Sequence, residues 1–465
     1  METDKANSAE GKKVCGYYLS RGKARSADVL LMPYNYILEK KIRTNSKIET
    51  AQKIIIIDEA HNVEAVCEES SSHNLTRRII SMARDELGEA KIKFDKEKES
   101  IDIITTPRKI ETIINGMKKL ELVYAQKYNE YGKQEGKNFD ISELINDAER
   151  NGLMRNTNEI WKNLTKNVSA YFASSQRKTH LSGKNFELFA YMMEELISIR
   201  NEKRHHDYRA RLCKDNNDRF GYNLNIWCFN AKYAIKDLSE EGAIYNLILT
   251  SGTLAPMQTY VDVLGLDESG KKTIQFQNQH IIKSEQLLAV TITGYEKTEF
   301  RNIYKNRNND DMFLKYAKII SKIKEVAPGG CLIFHPTYKL MRKSLNIWGI
   351  NDYSATFKNM FKVPVFVEPE NKEETIRVIE NYERELEHDE KQGAILNGVC
   401  RGKLSEGIDF KDSRARVVIV TGIPYPPVEE PRIKEKMDYL DKRIKTKSGE
   451  LSGREWYKQG KSLKL

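Results

Sequence analysis

Two adjacent carboxylates, Asp58 and Glu59, are the residues of this sequence best suited to chemistry. They follow the run Ile54–Ile57 directly, and four consecutive β-branched residues are typical of a strand buried on both faces of a parallel sheet. Ligands of such sheets bind beyond the carboxyl ends of the strands. One carboxylate could therefore hold Mg²⁺ while the next orients an attacking water, with His61 linking this nucleotide site to neighbouring segments. The plainer interpretation is a strand that ends in a solvated acidic turn.

A second apolar run, residues 247–249, is followed by the small polar residues Thr250, Ser251, Gly252 and Thr253. Hydroxyl groups at the end of a strand can bridge an acidic site to a second domain by hydrogen bonds. Taken alone, this segment is better explained by an ordinary strand-to-turn transition.

The third segment is a loop with two glycines, residues 399–410, followed by the apolar run 417–420. Glycines allow a ligand to approach the backbone closely. Arg401 and Lys403 could reach phosphate, and Asp409 could reach a ribose or a water. A surface loop with ordinary turn glycines is the alternative.

The secondary structure predicted around these residues changes from strand to helix and back to strand along the chain. Residues 27–32 and Ile54–Ile57 are predicted strands, residues 75–213 are predicted to be mainly helical, and strands return from about residue 224. The helical predictions rest on apolar stripes at residues 110–120, 141–148 and 186–199. The later predicted strands are 226–229, 247–249, 331–334, 365–367 and 417–420, with helices at 313–326 and 373–386. Strands that alternate with helices indicate an α/β fold with parallel sheets, here interrupted by a helical insertion.

Length and composition favour a large intracellular protein with an anionic partner. The 465 residues correspond to about three domains. Lys and Arg total 77 against 67 for Asp and Glu, a formal net charge of +10, which fits nucleic acid or merely a basic solvated surface. Six scattered cysteines without a CxxC pair indicate a reducing compartment, and no run is long and apolar enough to suggest a membrane span. The cysteines are Cys15, Cys67, Cys213, Cys228, Cys331 and Cys400.

In this order and spacing, the three segments resemble motifs II, III and V of the XPD-like, iron–sulfur branch of superfamily 2 DNA helicases. Residues 14–21 resemble the family's last cluster-cysteine segment, and residues 32–36 its run before motif II. Residues 333–338 and 453–457 also agree, and together with the run after His61 they favour the telomere-elongation regulator subgroup. The resemblance extends over residues 15–459 and is weak across the helical insertion.

The resemblance implies two RecA-like P-loop-type parallel-sheet domains with a helical Arch insertion. The expected boundaries are 1–26 for a remnant of the iron–sulfur module, 27–74 and 224–268 for the first RecA-like domain, 75–223 for the Arch, and 269–465 for the second RecA-like domain. The implied activity is ATP-dependent 5′-to-3′ unwinding of DNA in repair, recombination and telomere maintenance, in the nucleus. ATP, Mg²⁺ and a 4Fe–4S cluster are the implied cofactors, and single-stranded and duplex DNA the partners. No membrane is expected, and no protein partner is implied.

The resemblance also assigns roles to individual residues. The catalytic positions are Glu59, Asp58 and His61. The nucleotide positions are Asp58, which would hold Mg²⁺, with Thr250, Ser251, Gly252, Thr253, Glu406, Gly407 and Asp409. The DNA-binding positions are Tyr34, Asn35, Thr337, Tyr338, Arg401 and Ser405. Cys15 is the one cysteine at a cluster-type position. The basic residues at 200–214 could add phosphate contacts, although a solvated helix face explains them better.

Three departures from the family pattern put the activity of these 465 residues in doubt. No phosphate loop precedes Cys15, and the only Gly-Lys-Ser, residues 460–462, lacks both the upstream glycine and the leading strand. A 4Fe–4S cluster needs four thiolates, whereas only Cys15 is present. The motif VI arginine helix expected after Tyr457 is missing. The chain alone is therefore expected to be inactive as an ATPase, which leaves a helicase, an inactive DNA-binding or regulatory fragment, and, less favoured, an RNA remodeller as hypotheses.

Overall fold

The computed structural model divides the chain into two compact units, residues 1–275 and 276–465. The residues it describes are 15–96, 106–131, 136–174, 180–218, 221–241, 243–268, 273–301, 306, 309–350, 360–405, 408–444 and 451–462. None of the helices in these ranges is both long enough and apolar enough to cross a membrane. Each unit is described by itself.

The first unit combines a small parallel sheet with a larger helical and antiparallel part. Its helices are α1 (Gly16–Ala24), α2 (Asn35–Leu38), α3 (Lys40–Asn45), α4 (Val63–Ser70), α5 (Arg77–Lys96), α6 (Pro107–Tyr131), α7 (Ile141–Arg150), α8 (Asn158–Ser174), α9 (Lys184–Asn201), α10 (Lys232–Lys236) and α11 (Met257–Leu264). Its strands are β1 (Ile54–Ile57), β2 (His73–Thr76), β3 (Lys137–Asp140), β4 (Tyr208–Lys214), β5 (Tyr222–Cys228) and β6 (Asn246–Leu249). Strands β1 and β6 pair in parallel, with Ile57 opposite Leu249.

The part of the first unit between β1 and β6 forms a helix-and-sheet body with its own core. Strands β2, β5, β4 and β3 lie side by side in that order and pair antiparallel. Their apolar faces and the stripes of helices α5 to α9 enclose a buried cluster that includes Tyr124, Trp161, Phe186 and Tyr208. The helical stripes predicted from the sequence are thus confirmed, but the region is not purely helical, because this four-stranded sheet runs through it.

One strand prediction in the first unit is wrong, and another is right about the strand but wrong about its pairing. The segment 226–229 was expected to start the returning parallel strands, yet its residues up to Cys228 lie in β5 and pair antiparallel with β2 and β4. Residues 27–32 form no strand, and Val29 and Leu31 are largely exposed. An apolar run needs a hydrogen-bonding neighbour to become a strand, and the described chain supplies none here.

The parallel pair β1–β6 is buried on one face only. Ile55 and Ile57 face the core, whereas Ile54 and Ile56 are 59% and 66% exposed. The expectation of a strand buried on both faces is therefore not met by the described residues. Burial still alternates with the two-residue period of a strand, so the polar residues after Ile57 are held at the edge of the sheet.

The second unit contains a four-stranded parallel sheet with helices connecting its strands. Its strands are β7 (Gly294–Tyr295), β8 (Thr298–Glu299), β9 (Gly330–His335), β10 (Val365–Val367), β11 (Ala394–Val399) and β12 (Val417–Val420). Its helices are α12 (Asp310–Val326), α13 (Tyr338–Ile347), α14 (Lys372–His388), α15 (Pro431–Ile444) and α16 (Gly453–Ser462). The parallel sheet has the order β10-β11-β9-β12, and a separate hairpin pairs β7 with β8.

Local sequence signals explain where the helices of this sheet begin. Asn309, Thr337 and Asn371 precede α12, α13 and α14, and the side chain of each accepts a hydrogen bond from a backbone N–H of the first turn. Such caps satisfy donors that would otherwise lack partners. The strands and helices predicted for this region are confirmed, and with them the α/β class with parallel sheets.

Candidate functional site

Strand pairing places the first two polar segments side by side in the first unit. Because β1 and β6 are parallel and in register, the residues after Ile57 and after Leu249 leave the same edge of the sheet. The backbone continues the pairing beyond the strands: Thr250 N donates to Ile57 O over 2.9 Å, and Ala60 N donates to Thr250 O over 3.0 Å. The acidic pair and the hydroxyl segment thus lie next to each other in the structure.

The backbone reverses direction at Glu59. Its φ is +49°, in the left-handed region that non-glycine residues seldom adopt. Asp58 Oδ1 accepts a hydrogen bond from Glu59 N over 3.0 Å, which supports the turn. Both acidic residues are exposed. Backbone conformations of this kind are concentrated at functional sites, where the surrounding structure maintains them.

A three-residue network joins Glu59, Ser251 and His61. Ser251 Oγ donates to Glu59 Oε2 over 3.1 Å, and His61 Nδ1 lies 3.1 Å from both Ser251 Oγ and Glu59 Oε2. Asn62 Nδ2 lies 3.0 Å from His61 Nε2 and donates to it, so the ring proton belongs on Nδ1, where it can be donated to the network. The other carboxylate oxygen of Glu59 makes no hydrogen bond to the described residues and is available to a ligand or a water.

The remaining residues of this edge differ in how they are held. Thr250, Gly252 and Thr253 are exposed, and a Cβ added to Gly252 would meet nothing within 4 Å. Tyr260 of α11 donates its hydroxyl to His61 O over 2.9 Å. Burial and the nearby Glu64 carboxylate raise the pKa of Tyr260 to about 12, so its hydroxyl stays a donor at neutral pH. Sequence reasoning missed Tyr260, because a tyrosine on an apolar helix face is usually a core residue.

In the second unit, the ends of β9 and β11 present the third segment. Thr337 caps α13 by accepting from Leu340 N over 3.2 Å, and Tyr338 begins that helix. The loop after β11 is attached to the end of β9, because Cys400 N donates to His335 O over 2.9 Å. The predicted contacts Thr337 and Tyr338 therefore share one edge of the sheet with the loop that begins at Cys400.

A buried carboxylate, which sequence reasoning missed, holds this arrangement. Glu368, directly after β10, is 2% exposed. Its Oε2 accepts from Val399 N over 2.8 Å, and its Oε1 accepts from Lys403 N over 2.7 Å and from the Tyr338 hydroxyl over 3.0 Å. Burial and this carboxylate raise the pKa of Tyr338 to about 12. No local pattern in the sequence indicates such a role, because the donors come from residues distant along the chain.

A second buried polar group lies beneath the same edge. His335 is 1% exposed, its Nε2 lies 3.2 Å from Asn397 Oδ1, and its Nδ1 lies 3.4 Å from Thr421 Oγ1. The network thereby connects β9 with β11 and with the residue after β12. Burial lowers the pKa of His335 to about 4, against a smaller opposing effect of the Asn397 hydrogen bond. The imidazole is therefore neutral at physiological pH.

The loop itself leaves some predicted residues free and uses others internally. Arg401, at φ +61°, is exposed, and its guanidinium makes no hydrogen bond or ion pair with the described residues, whereas Ser405 donates its hydroxyl to Gly402 O over 3.0 Å. Asp409 is exposed and pairs with Lys411 over 2.7 Å. Glu406 and Gly407 lie outside the described residues.

Three further predicted positions lie near the start of the first unit. Tyr34 and Asn35 are half-buried at the beginning of α2, and Cys15 is exposed just before α1. Within the described ranges, no three or more His, Cys, Asp or Glu side chains are grouped so that they could hold a metal. These residues do not fit a 4Fe–4S cluster, which requires four grouped ligands, and no chemistry of a cluster is assigned to them.

The basic residues between 200 and 214 serve mainly internal contacts. Arg200 and Arg204 form ion pairs with Glu149 and Glu195, respectively. Arg211 is 9% exposed and donates to Asn138 Oδ1 over 2.6 Å. The interpretation as a solvated helix face is wrong, because part of this run lies in strand β4 rather than in a helix.

Comparison with known proteins shows which helicases the chain is similar to. A model described as "Helicase C-terminal domain" matches residues 320–465, and the model described as "DEAD_2" matches residues 3–80. These matches show that both ends of the chain are similar to helicase family models. "Regulator of telomere elongation helicase 1" of Bos taurus is 30% identical over 98% of this chain, which corresponds to 40% of that protein. The Mus musculus protein of the same name is 29% identical over 98% of this chain and 41% of its own length.

Two solved structures are similar to the chain at low identity. "Structure of S. tokodaii Xpd4" is 16% identical, covers 95% of this chain and 74% of its own, and has a TM-score of 0.45. "XPD_Helicase" is 18% identical, with 95% and 66% coverage and a TM-score of 0.39. The chain spans about two fifths of the length of the mammalian helicases it matches. The resemblance to XPD-like helicases predicted from the motifs is thus confirmed for the family.

Proposed function

We propose that the chain forms the core of an ATP-dependent 5′-to-3′ DNA helicase that acts in DNA repair, recombination and telomere maintenance in the nucleus. The observation that carries the proposal is the network of Glu59, Ser251 and His61 at the ends of β1 and β6. It unites an acidic pair with a hydroxyl group at the sheet edge where nucleotides bind in α/β proteins. The sequence matches to helicases over 98% of the chain support it.

The first unit would supply the groups that face MgATP. Asp58 is exposed and would hold the Mg²⁺ of the nucleotide. Glu59 would orient the attacking water with the oxygen that the protein leaves free, while Ser251 and His61 fix the other oxygen. This division fits phosphoryl transfer, in which catalysis depends mainly on positioning and electrostatic stabilisation. Glu406, Gly407 and Asp409 stay predicted nucleotide contacts of the second unit.

The second unit would supply contacts to a single DNA strand. Tyr338 offers an aromatic ring, Arg401 offers an exposed guanidinium, and Thr337 and Ser405 offer small polar groups. Aromatic stacking and phosphate contacts are the usual means of binding single strands without sequence preference. Tyr34 and Asn35 would supply DNA contacts of the first unit.

A second candidate function is an inactive fragment that acts only as a DNA-binding or regulatory protein. The observation that favours it is the place of the only Gly-Lys-Ser, residues 460–462, at the end of helix α16. A phosphate loop lies between a strand and the start of a helix, where free backbone N–H groups point at the phosphates. We therefore expect these 465 residues by themselves to show no measurable DNA-stimulated ATP hydrolysis.

The two candidates are separated by measuring MgATP turnover and DNA binding on the same preparation. The variants are Glu59→Gln and, as a matched control, Glu49→Gln, an exposed residue in the same unit. We expect the chain to bind single-stranded oligothymidine and to hydrolyse no ATP. Robust DNA-stimulated turnover that is lost in Glu59→Gln and kept in Glu49→Gln would establish the helicase and refute the inactive fragment. Failure of the folded chain to bind any DNA would contradict the helicase and the DNA-binding fragment, and would leave only a regulatory role.

A further inference from the structure

Glu368 lies where a carboxylate is unusual: it is 2% exposed, and no cation neutralises it within the described residues. All three of its hydrogen-bond donors are neutral, namely Val399 N, Lys403 N and the Tyr338 hydroxyl. Burying a charge is costly unless hydrogen bonds satisfy its oxygens. Both oxygens are used here, so the carboxylate is held firmly and in turn holds its donors.

The backbone around Glu368 is shaped to admit it. A Cβ added to Gly402 would lie 2.7 Å from Glu368 Oε1, and one added to Gly398 would lie 3.2 Å from Oε2. The sequence predicts that a ligand approaches the backbone at the glycines of this loop. At Gly402 the group in close contact is instead the internal carboxylate of Glu368. Any side chain at position 402 would displace the carboxylate or the loop.

The three donors belong to two segments that both carry predicted DNA contacts. Tyr338 follows β9, while Val399 and Lys403 flank Arg401 in the loop after β11. The tight turn across Arg401 is closed by Gly402 N, which donates to Val399 O over 2.8 Å. One carboxylate thus fixes the plane of the tyrosine ring and the turn that projects the arginine.

We propose that Glu368 is the positioning residue for strand binding in the second unit: it holds Tyr338 and the Arg401 turn in one arrangement in which the ring can stack on a base while the guanidinium meets a phosphate. The proposal rests on the proposed DNA-binding function. Glu368 itself touches no nucleic acid, because its oxygens are occupied and buried.

Glutamine cannot replace Glu368 in this role. In either orientation, its NH₂ group would face a backbone N–H, Val399 N on one side or Lys403 N on the other. The tyrosine hydroxyl can turn to accept, but a backbone N–H cannot. The variant Glu368→Gln therefore loosens the turn without changing any residue that contacts DNA. Glu370→Gln is the matched control, because Glu370 lies two residues away and its side chain is 63% exposed, paired with Arg342.

The test measures the affinity of the full chain for fluorescein-labelled oligothymidine as a function of salt. The slope of log Kd against log salt reports how many phosphates are neutralised, and one lost contact lowers it by about 0.7 for a single strand. We expect Arg401→Gln to lower the slope by about this amount and Glu368→Gln to do the same, with Kd raised about tenfold. The double variant should lower the slope no further, and Glu370→Gln should retain the wild-type slope.

This readout separates positioning from loss of fold. A variant that is merely partly unfolded binds with less active protein but with an unchanged slope. If Glu368→Gln does not fold, Tyr338→Phe tests the same point, because it keeps the ring and removes one donor. We then expect Kd to rise about threefold. Wild-type slopes in both variants, in a chain that binds DNA, would overturn the role of Glu368 alone. A wild-type chain that does not bind DNA would overturn the proposed function, and this inference with it.

Discussion

Replacing His335 by phenylalanine should remove an acid-sensitive element from the second unit. Burial lowers the pKa of His335 from 6.5 to about 4. The unfolded chain therefore binds more protons than the folded one between these values, so the stability of the unit falls as pH falls from about 6.5 to about 4. The full difference of about 2.5 pKa units corresponds to ~3.4 kcal/mol, and about 2 kcal/mol of it is lost by pH 5.

The variant His335→Phe should be less stable than wild type at pH 8, because Asn397 loses the donor to its buried Oδ1. An unsatisfied buried acceptor costs about 1–3 kcal/mol. At pH 5 the difference between the two proteins should narrow by about 2 kcal/mol, since phenylalanine does not titrate. His388→Gln is the control, because His388 is exposed at the end of α14.

Native-state hydrogen exchange of the β9 and β11 amides is the suitable assay, because it reports the opening of this sheet separately from the first unit. Exchange rates corrected for the intrinsic effect of pH should show β9 protection falling between pH 7 and pH 5 in wild type and in His388→Gln. The same fall in His335→Phe would refute the reasoning, because it would assign the acid sensitivity to other groups.

Three further predictions concern the first unit. Glu86→Gln should lower the unfolding free energy of the first unit by about 1–3 kcal/mol, measured by urea denaturation. The reason is that Glu86 is fully buried and accepts two backbone N–H groups at the start of α9. Glu89→Gln, on the same helix α5 as Glu86, should have a smaller effect. Burial raises the pKa of Glu194 to about 7, so the cost of burying its charge develops as pH rises from 4.5 to 7. Because Glu194 is only partly buried, solvent screening reduces this cost to about 1–2 kcal/mol. Glu194→Gln should therefore stabilise the unit by about this amount at pH 8 and leave it unchanged at pH 4, as measured by urea denaturation. Ile57→Ala should lower the unfolding free energy by about 2–5 kcal/mol and Ile56→Ala by less than about 0.5 kcal/mol. The reason is that Ile57 is 2% exposed, whereas Ile56 is 66% exposed. Equal losses of stability in thermal unfolding would contradict the one-sided burial of β1.

The chemistry-bearing segment of the first unit could be predicted because its signal is local. Four β-branched residues specify β1, and the residues after Ile57 must then leave the edge of a sheet. A second strand of the same kind before Thr250 is enough to bring the hydroxyl groups to that edge. The conformation of Glu59 and the tautomer of His61 could not be predicted, because they depend on hydrogen bonds between the two segments.

The strand β5 shows a signal that was present but interpreted too coarsely. Its residues alternate between buried and half-buried, with Leu224, Ile226 and Cys228 on the buried face. This two-residue period is typical of an antiparallel strand with one solvated face, not of a parallel strand buried on both. The alternation therefore indicated that the segment belongs to an antiparallel sheet, although the aromatic and apolar content of residues 226–229 suggested a buried parallel strand.

The role of Glu368, in contrast, could not be predicted from any local sequence signal. A glutamate after Val-Phe-Val is compatible with a solvated turn, and only the folded chain brings Val399, Lys403 and Tyr338 to it. The partners are some thirty residues away in sequence, 31, 35 and 30 positions respectively. No pattern within one segment encodes such a contact.

The two candidate surfaces are stabilised in different ways, and the difference agrees with the roles proposed for them. Glu59, with a side chain 66% exposed, keeps one oxygen free, so a ligand can form new contacts there without breaking buried hydrogen bonds. Glu368 and His335 are almost fully buried with their polar atoms engaged, so rearranging them would leave unpaired groups. A site that must accept a water and release a product needs the first arrangement. A surface that must hold a base and a phosphate at a fixed separation needs the second, and a single buried carboxylate shared by Tyr338 and the Arg401 turn provides it.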